Sequence, residues 1–359
     1  MPRPTTLRQM PMPTSTEQIR QAVQRNCHIA DARHAADLGM CSYLMRMREY
    51  YRWEKGIALG AQLPRDDVGN WLSAREALWE TLADAAYGEV EIDGDRYDPF
   101  DAESINEALE PRGLVYSSGL VHGLKAHFFL GQLARREAAH DGFSLRVADR
   151  ELARGLSAPP AMILGSTIFV RRESLRRMLW EKLDIWRWNR ADNALARAFA
   201  AYDFDADLDA ALSRMSDDEV SAATEHEIGE FQAGQMLGED WNRMLVDLAD
   251  TPAELMARAV RDHIADCART LPVLTRERRQ SSVHFFFGNL SGMRKEIFPG
   301  LHAAYAEWLP DADYELLAAV AEVGREHWRS LATEMLELHR AYGEKAAKPI
   351  ARLVKENYL

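Results

Sequence analysis

The residues best equipped to do chemistry sit at helical spacing on strips that are otherwise apolar. In Thr224–Trp241, TEHEIGEFQAGQMLGEDW, His226 and Glu230 fall at i, i+4. They share a strip roughly 60° wide with Leu237, Trp241, Met244 and Leu248. His327 and Glu334 fall in the same way within about 80° of Val320, Val323, Leu331 and Leu338. Near the N-terminus His28, Asp31 and His34 recur at i, i+3, i+6, spread over about 120° of one helix. A buried carboxylate or imidazole is costly unless it is paired or bound to a metal. Helical bundles that project Glu, Asp and His inward build non-haem metal centres, and this donor set suits Fe(II) or Mn(II). His28, Asp31, His34, His226, Glu230, His327 and Glu334 are therefore the candidate ligands of an iron or manganese centre.

A competing reading pairs these groups with one another, or with Arg33, Arg46, Arg243 and Arg294, in buried polar networks that fix helix register. HExxH is absent, and the neighbours in Glu225-His226-Glu227 point about 100° apart, so they cannot share a metal from a regular helix. Glu137 and His140 have the Glu-x-x-His spacing of dimetal helices, but Asp141-Gly142 directly after them reads as a helix end. His263 and Asp266 form a further His-acid pair. Gly234 and Gly238, four apart beside the polar strip, would let another backbone approach.

The elements that must position these residues are mostly helices. Thr14 and Glu17 have capping-box spacing, and the helix they open is expected to run to Gly56. It would bury Met40, Tyr43, Leu44, Met47 and Tyr51 on one face, and Ala35, Leu38, Cys41 and Met45 on another. A second helix spans Asp66–Tyr87, and alternation around Asp93-Gly94 gives a short hairpin. His127–Leu130 leads into a helix, while Phe143–Val147 and Thr167–Val170 read as strands. From Arg171 onward every segment reads as helix. The expected fold is mainly α, a helical bundle with a small β component in the N-terminal half. Its expected parts are a disordered arm (1–15), a mixed, mostly helical N-terminal domain (16–201) and a helical C-terminal domain (210–359), with helix 16–55 packed onto the last.

Composition narrows the function classes. A formal charge of −12 disfavours a nucleic-acid partner, whose phosphates need a basic surface. No apolar run approaches the roughly 20 residues of a membrane span, and the proline-bearing start has no apolar h-region, so the expected location is the cytoplasm, away from membranes. Cys27, Cys41 and Cys267 form no CxxC pair, which argues against a disulfide framework or a cysteine zinc site. Neither GxxxxGK[ST] nor GxGxxG occurs. Arg171–Arg190 carries seven basic residues interleaved with Trp180, Trp186 and Trp188, either a solvated amphipathic face or a surface for an anionic partner.

The segments CHIADARHAADLGMCSYLMRMREYYRW, YDPFDAESINEAL, HFFLGQLARRE, RELARGLSAPPA, IFVRRESLRRMLWEK and HFFFGNLSGMRKEIFPGL resemble a bacterial protein family of unknown function over nearly the whole chain. That resemblance implies no activity, cofactor or site residue.

The leading expectation is a metal-dependent helical enzyme, a non-haem iron-type oxidoreductase acting on a small molecule, with Tyr43 or Tyr50 as neighbouring proton or redox groups. The alternative is a non-catalytic adaptor or assembly factor that holds an acidic partner with Arg171–Arg190 and Val283–Leu301. A hydrolase or transferase with a histidine base lacks an identifiable nucleophile.

Overall fold

A computed structural model describes residues 14–121 and 125–359, excluding the side chains of 121 and 138–140. The expected arm therefore lies, up to residue 13, outside the described residues. The chain divides into two compact units, one of residues up to 139, 144–160 and 171–174, the other of 140–143, 161–170 and 175–359.

The N-terminal unit holds α1 (Thr16–His34), α2 (Met40–Glu54), α3 (Arg65–Leu82), β1 (Val90–Ile92), β2 (Asp95–Tyr97), α4 (Ala102–Leu109), β3 (Leu114–Val121), β4 (Lys125–His140) and β5 (Phe143–Arg154). Ser15 caps α1 in a capping box with Gln18, one residue along from the expected Thr14–Glu17 pair. Thr14 instead ties to the hairpin turn, exchanging hydrogen bonds with Asp93. That turn has φ of 54° at Asp93 and 92° at Gly94, the left-handed pair that a two-residue hairpin demands. The strands β3, β4 and β5 are neighbours in that order, and β3 pairs antiparallel with β4. A Cβ on Gly131 would lie 2.9 Å from the Arg150 carbonyl, so glycine lets β4 and β5 close together. Ile19, Val23, Cys27, Ile105, Tyr116, Phe128 and Leu130 form the core beneath the strands, and Met47, Tyr50, Trp79 and Leu156 form a smaller cluster between helices.

The second unit takes the hairpin β6 (Ala161–Leu164) and β7 (Thr167–Arg171) up to Val170 and resumes at Leu175 within α5 (Arg172–Asn189), the residues 171–174 belonging to the first unit; it continues through α6 (Ala194–Phe199), α7 (Leu208–Asp247) and α8 (Pro252–Ala265). A π-helical turn, Asp266–Thr270, joins α8 to α9 (Leu271–Arg276). Then come α10 (Gln280–Asn289), α11 (Gly292–Ile297), α12 (Pro299–Trp308), α13 (Tyr314–Tyr342) and α14 (Ala347–Glu356). Trp241, Trp308 and Trp328 are fully buried at its centre. Burying such rings contributes roughly 4–6 kcal/mol each by area. Among the described residues no helix is long and apolar enough to cross a membrane.

Four expectations are corrected. The fold is mainly helical with β elements, as expected, but the β component is larger than the small one expected, because β4 runs for 16 residues and β5 for 12. His127–Leu130 opens β4 rather than a helix: short apolar runs do not distinguish the two by period, and here the run pairs with β3. The helix expected to reach Gly56 breaks at Ala35–Asp37 and restarts after Gly39, leaving Met40, Leu44 and Met45 exposed. On α13 the buried stripe is Leu317, Ala321, Gly324, Trp328, Leu331, Ala332, Met335 and Leu336, so Val323 and Glu334 face water.

Candidate functional site

The cavity that brings together the most unusual side chains lies in the N-terminal unit. It has a volume of about 550 Å³ and is lined by Arg20, Gln24 and His28 of α1, Trp53 and Glu54 at the end of α2, Gly56, Arg150, Glu151 and Leu152 of β5, and Glu173. A strand would ordinarily place apolar residues in its interior, but β5 buries Glu151 and Arg154, 3% and 1% exposed. Such charges persist only when paired. Glu151 Oε1 accepts Arg171 Nε at 2.8 Å and the Ser174 hydroxyl, while Oε2 lies 3.5 Å from Arg154 Nη1. The Glu173 carboxylate accepts the Glu151 amide at 2.5 Å.

Guanidinium groups and aromatic rings alternate behind the cavity wall. Arg154 lies 5.2 Å from the Tyr50 ring centre and 5.0 Å from that of Trp53. Arg75 lies 4.9 Å from Trp71 and 5.3 Å from Tyr50. Arg75 also pairs with Glu54, whose other oxygen accepts Trp71 Nε1 at 2.9 Å. Cation–π contacts of this kind hold each ring and each cation in one place. Gln24 is spent on the frame, donating to Tyr50 Oη and the Arg154 carbonyl and accepting the Arg154 amide.

His28 shares this wall with Arg75, whose Nη1 lies 2.8 Å from Nε2 and 3.1 Å from Nδ1. A guanidinium only donates, so the imidazole faces it as a neutral acceptor. Burial first, and then the Arg75 charge, push its pKa down to about 3. Asp31 turns elsewhere and accepts the Leu156 amide with both oxygens, at 2.9 and 3.0 Å. Burial raises its pKa to about 7 despite that bond. A Cβ on Gly155 would lie 3.1 Å from Asp31 Oδ1, so glycine opens the space the carboxylate uses. His34 lies 3.4 Å from Asp37 on the surface. The three members of the expected N-terminal ligand turn thus have three different partners.

In the second unit His226 and Glu230 do find the partners that an apolar strip demanded. His226 Nδ1 donates to Asp266 at 2.8 Å, and Nε2 lies 3.3 Å from Glu230. Asp266 also binds Arg294, and Glu230 accepts from Arg261 at 3.0 Å. The π turn begins at Asp266, whose side chain is 1% exposed. Burial opposes the charge on His226, but Asp266 and then Glu230 outweigh it and hold the imidazolium well above its ordinary range. Burial likewise works against ionised Asp266, and Arg294 and His226 overcome it to hold the carboxyl below the usual range. Burial and the nearby Glu230 raise Glu227 to about 7 and push Asp262 up as well. Chemically the cluster is a proton-holding ionic network. His263 leaves it, bonding the Arg294 carbonyl at 2.8 Å and stacking 5.1 Å from Trp328.

The expected metal ligands are not gathered. Opposite nitrogens of His226 serve two different carboxylates, so no single point is shared by all three groups. His327 donates to the Asn357 carbonyl at 2.8 Å, and Glu334 is exposed beside Ser330. Among the described residues no three His, Cys, Asp or Glu side chains are arranged to hold a metal ion. Glu137 stands on β4, where the i, i+3 spacing of a helix no longer applies, and the His140 side chain lies outside the described residues.

On the basic helix, Arg172, Arg176 and Arg187 reach Asp149, Asp209 and Asp205. Val283 and Phe287 of the aromatic segment are core, and His284 binds Tyr305 Oη at 2.8 Å. Trp53, Glu54, Arg75, Glu151, Arg154 and Glu173 were not singled out by spacing. The available signal was charge inside β5, where Glu151 and Arg154 interrupt the run Val147, Ala148, Leu152, Ala153.

No curated protein and no solved structure matches the chain. Residues 18–171 match the N-terminal domain, and residues 176–357 the C-terminal domain, of a family of unknown function (DUF6866), and the chain belongs to that family.

Proposed function

We propose that this protein binds a small polar molecule in the cavity of its N-terminal unit. The observation that carries the reading is the pre-formed wall: Glu54 reaches the cavity already fixed by Arg75, above a floor in which Arg154 and Arg171 hold the buried Glu151. Binding sites are concave, with a few polar groups held in place before the ligand arrives, because ordering them afterwards weakens binding. Two further cavities, about 610 and 540 Å³, lie in the second unit. The first is bordered by the outward-facing Arg243 and Arg340, 72% and 61% exposed, and lacks such a buried charged floor.

The test is a thermal-shift screen of small metabolites against the full chain, repeated on Trp53→Leu and, as a control in the second unit, Arg243→Ala. At least one stabilising compound should lose its effect in Trp53→Leu and keep it in Arg243→Ala. Stabilisation that ignores Trp53→Leu for every compound rejects the cavity as the binding site.

A further inference from the structure

Resting on that reading, the lining also specifies what the cavity holds. Two lining residues that are not buried, Glu54 and Glu173, carry carboxylates, which when ionised accept hydrogen bonds and offer none, and Glu151 lies beneath them with its side chain 1% exposed. Gln24 has both ends of its amide engaged by Tyr50 and Arg154, and His28 is turned to Arg75. The protein already shows three times how this wall treats a guanidinium. Arg75 lies between Glu54 and the rings of Trp71 and Tyr50. Arg154 lies between Glu151 and the rings of Tyr50 and Trp53, and Arg171 between Glu151 and Phe129, 4.0 Å from its ring centre. Carboxylate and aromatic face together are the usual recognition pair for an organic cation. Trp53, half-buried, is the aromatic side chain that reaches the cavity.

Two lining residues have the opposite sign. Arg20 is engaged by Glu17 at 2.7 Å. Arg150 is exposed and, among the described residues, pairs with no carboxylate. We infer that the cavity takes a small organic cation, an amine or guanidine that also bears an acid group, its cationic end among Glu54, Glu173 and Trp53 and its acid on Arg150.

Calorimetry of the full chain with L-arginine, agmatine and succinate tests this. L-arginine carries both groups, agmatine the cation alone and succinate the acid alone. L-arginine should bind, agmatine up to about fivefold more weakly for want of one exposed charge pair, and succinate not at all. Arg150→Ala lies at an exposed position and should bring L-arginine down to the affinity of agmatine while leaving agmatine unchanged; Trp53→Leu should weaken both. Succinate binding as tightly as L-arginine overturns the inference, and so does L-arginine binding that is indifferent to both substitutions. If none of the three binds at millimolar concentration, the ligand class is wrong. The cavity reading is then judged separately, by whether any compound from the metabolite screen is lost in Trp53→Leu.

Discussion

Glu151 and Arg171 meet with their side chains 1% and 0% exposed, Oε1 of the glutamate accepting Nε at 2.8 Å with Nη2 2.6 Å away. Two charges so far from water are tolerable only together, because each alone would carry a desolvation penalty of several kcal/mol. The pair anchors β5 under the cavity and orients the Glu151 carboxylate.

Arg171→Met should therefore destabilise the protein by about 3–5 kcal/mol, since it strands the glutamate. The double variant Glu151→Leu/Arg171→Met removes both charges of the pair but also takes the Glu151 carboxylate from Arg154, so it should recover part of that loss rather than all of it. Urea unfolding of the single and double variants checks this, and a double variant as unstable as the single would show that packing, not the stranded charge, governs the site.

Gly229 and Gly234 on α7 should respond in opposite directions to the same substitution. A Cβ at Gly229 would lie 2.7 Å from the Ala265 carbonyl oxygen and 2.9 Å from its Cα, so glycine lets α7 come close to α8 here. Gly229→Ala must push the helices apart, at a cost of about 1–3 kcal/mol. Nothing lies within 4 Å of a Cβ at Gly234, so alanine there should stabilise by about 0.5–1 kcal/mol through helix propensity. Chemical denaturation of the two variants, side by side, gives the signs.

The same glycines mark how far the sequence could be read. Spacing pointed to Gly234 and Gly238 as the place of close approach, but Gly238 has φ of 68° and kinks α7, and the contact belongs to Gly229. Helical period places Leu237, Trp241 and Met244 in the core correctly, because burial of an amphipathic stripe is a local property of one helix. Partners are not local. That His226 would need a counter-charge followed from its strip; that Asp266 would supply it, 40 residues away across a π turn, did not. The cavity was less legible still, for its wall joins α1, α2, β5 and Glu173, and strand neighbours are set by long-range pairing that no window of sequence contains.

Asp31 should make stability fall as pH rises. Its folded pKa, about 7, lies above the model-peptide value of 3.8, so between those values the unfolded chain releases a proton that the folded chain keeps. Its contribution is present in full below the lower value and is lost as pH climbs through the upper one. A shift of roughly three units corresponds to at most about 4 kcal/mol. Asp31→Asn cannot ionise, and should gain on the wild type by a few kcal/mol between pH 4 and pH 8 as its Oδ1 still accepts the Leu156 amide. Urea midpoints across that range decide it, and a difference that is constant with pH would sink the assignment.

Asp266 governs the charge of His226 because it is the nearest carboxylate, 2.8 Å from Nδ1, and is itself buried and held ionised by Arg294. Asp266→Asn keeps the shape of the side chain but removes the charge. Burial, already the largest single influence on His226, is then opposed by Glu230 alone, and the pKa should drop from well above 6.5 to the ordinary range or lower, read from the imidazole carbon-bound protons by NMR titration. A histidine with a raised folded pKa stabilises fully below the unfolded value of 6.5 and loses that contribution as pH rises through the folded one. The wild type's advantage over Asp266→Asn at pH 6 should therefore be the larger, about 3–5 kcal/mol including the stranded Arg294, and should shrink at alkaline pH. A His226 resonance that titrates identically in both proteins would mean that Glu230, at 3.3 Å, and not Asp266, holds the proton.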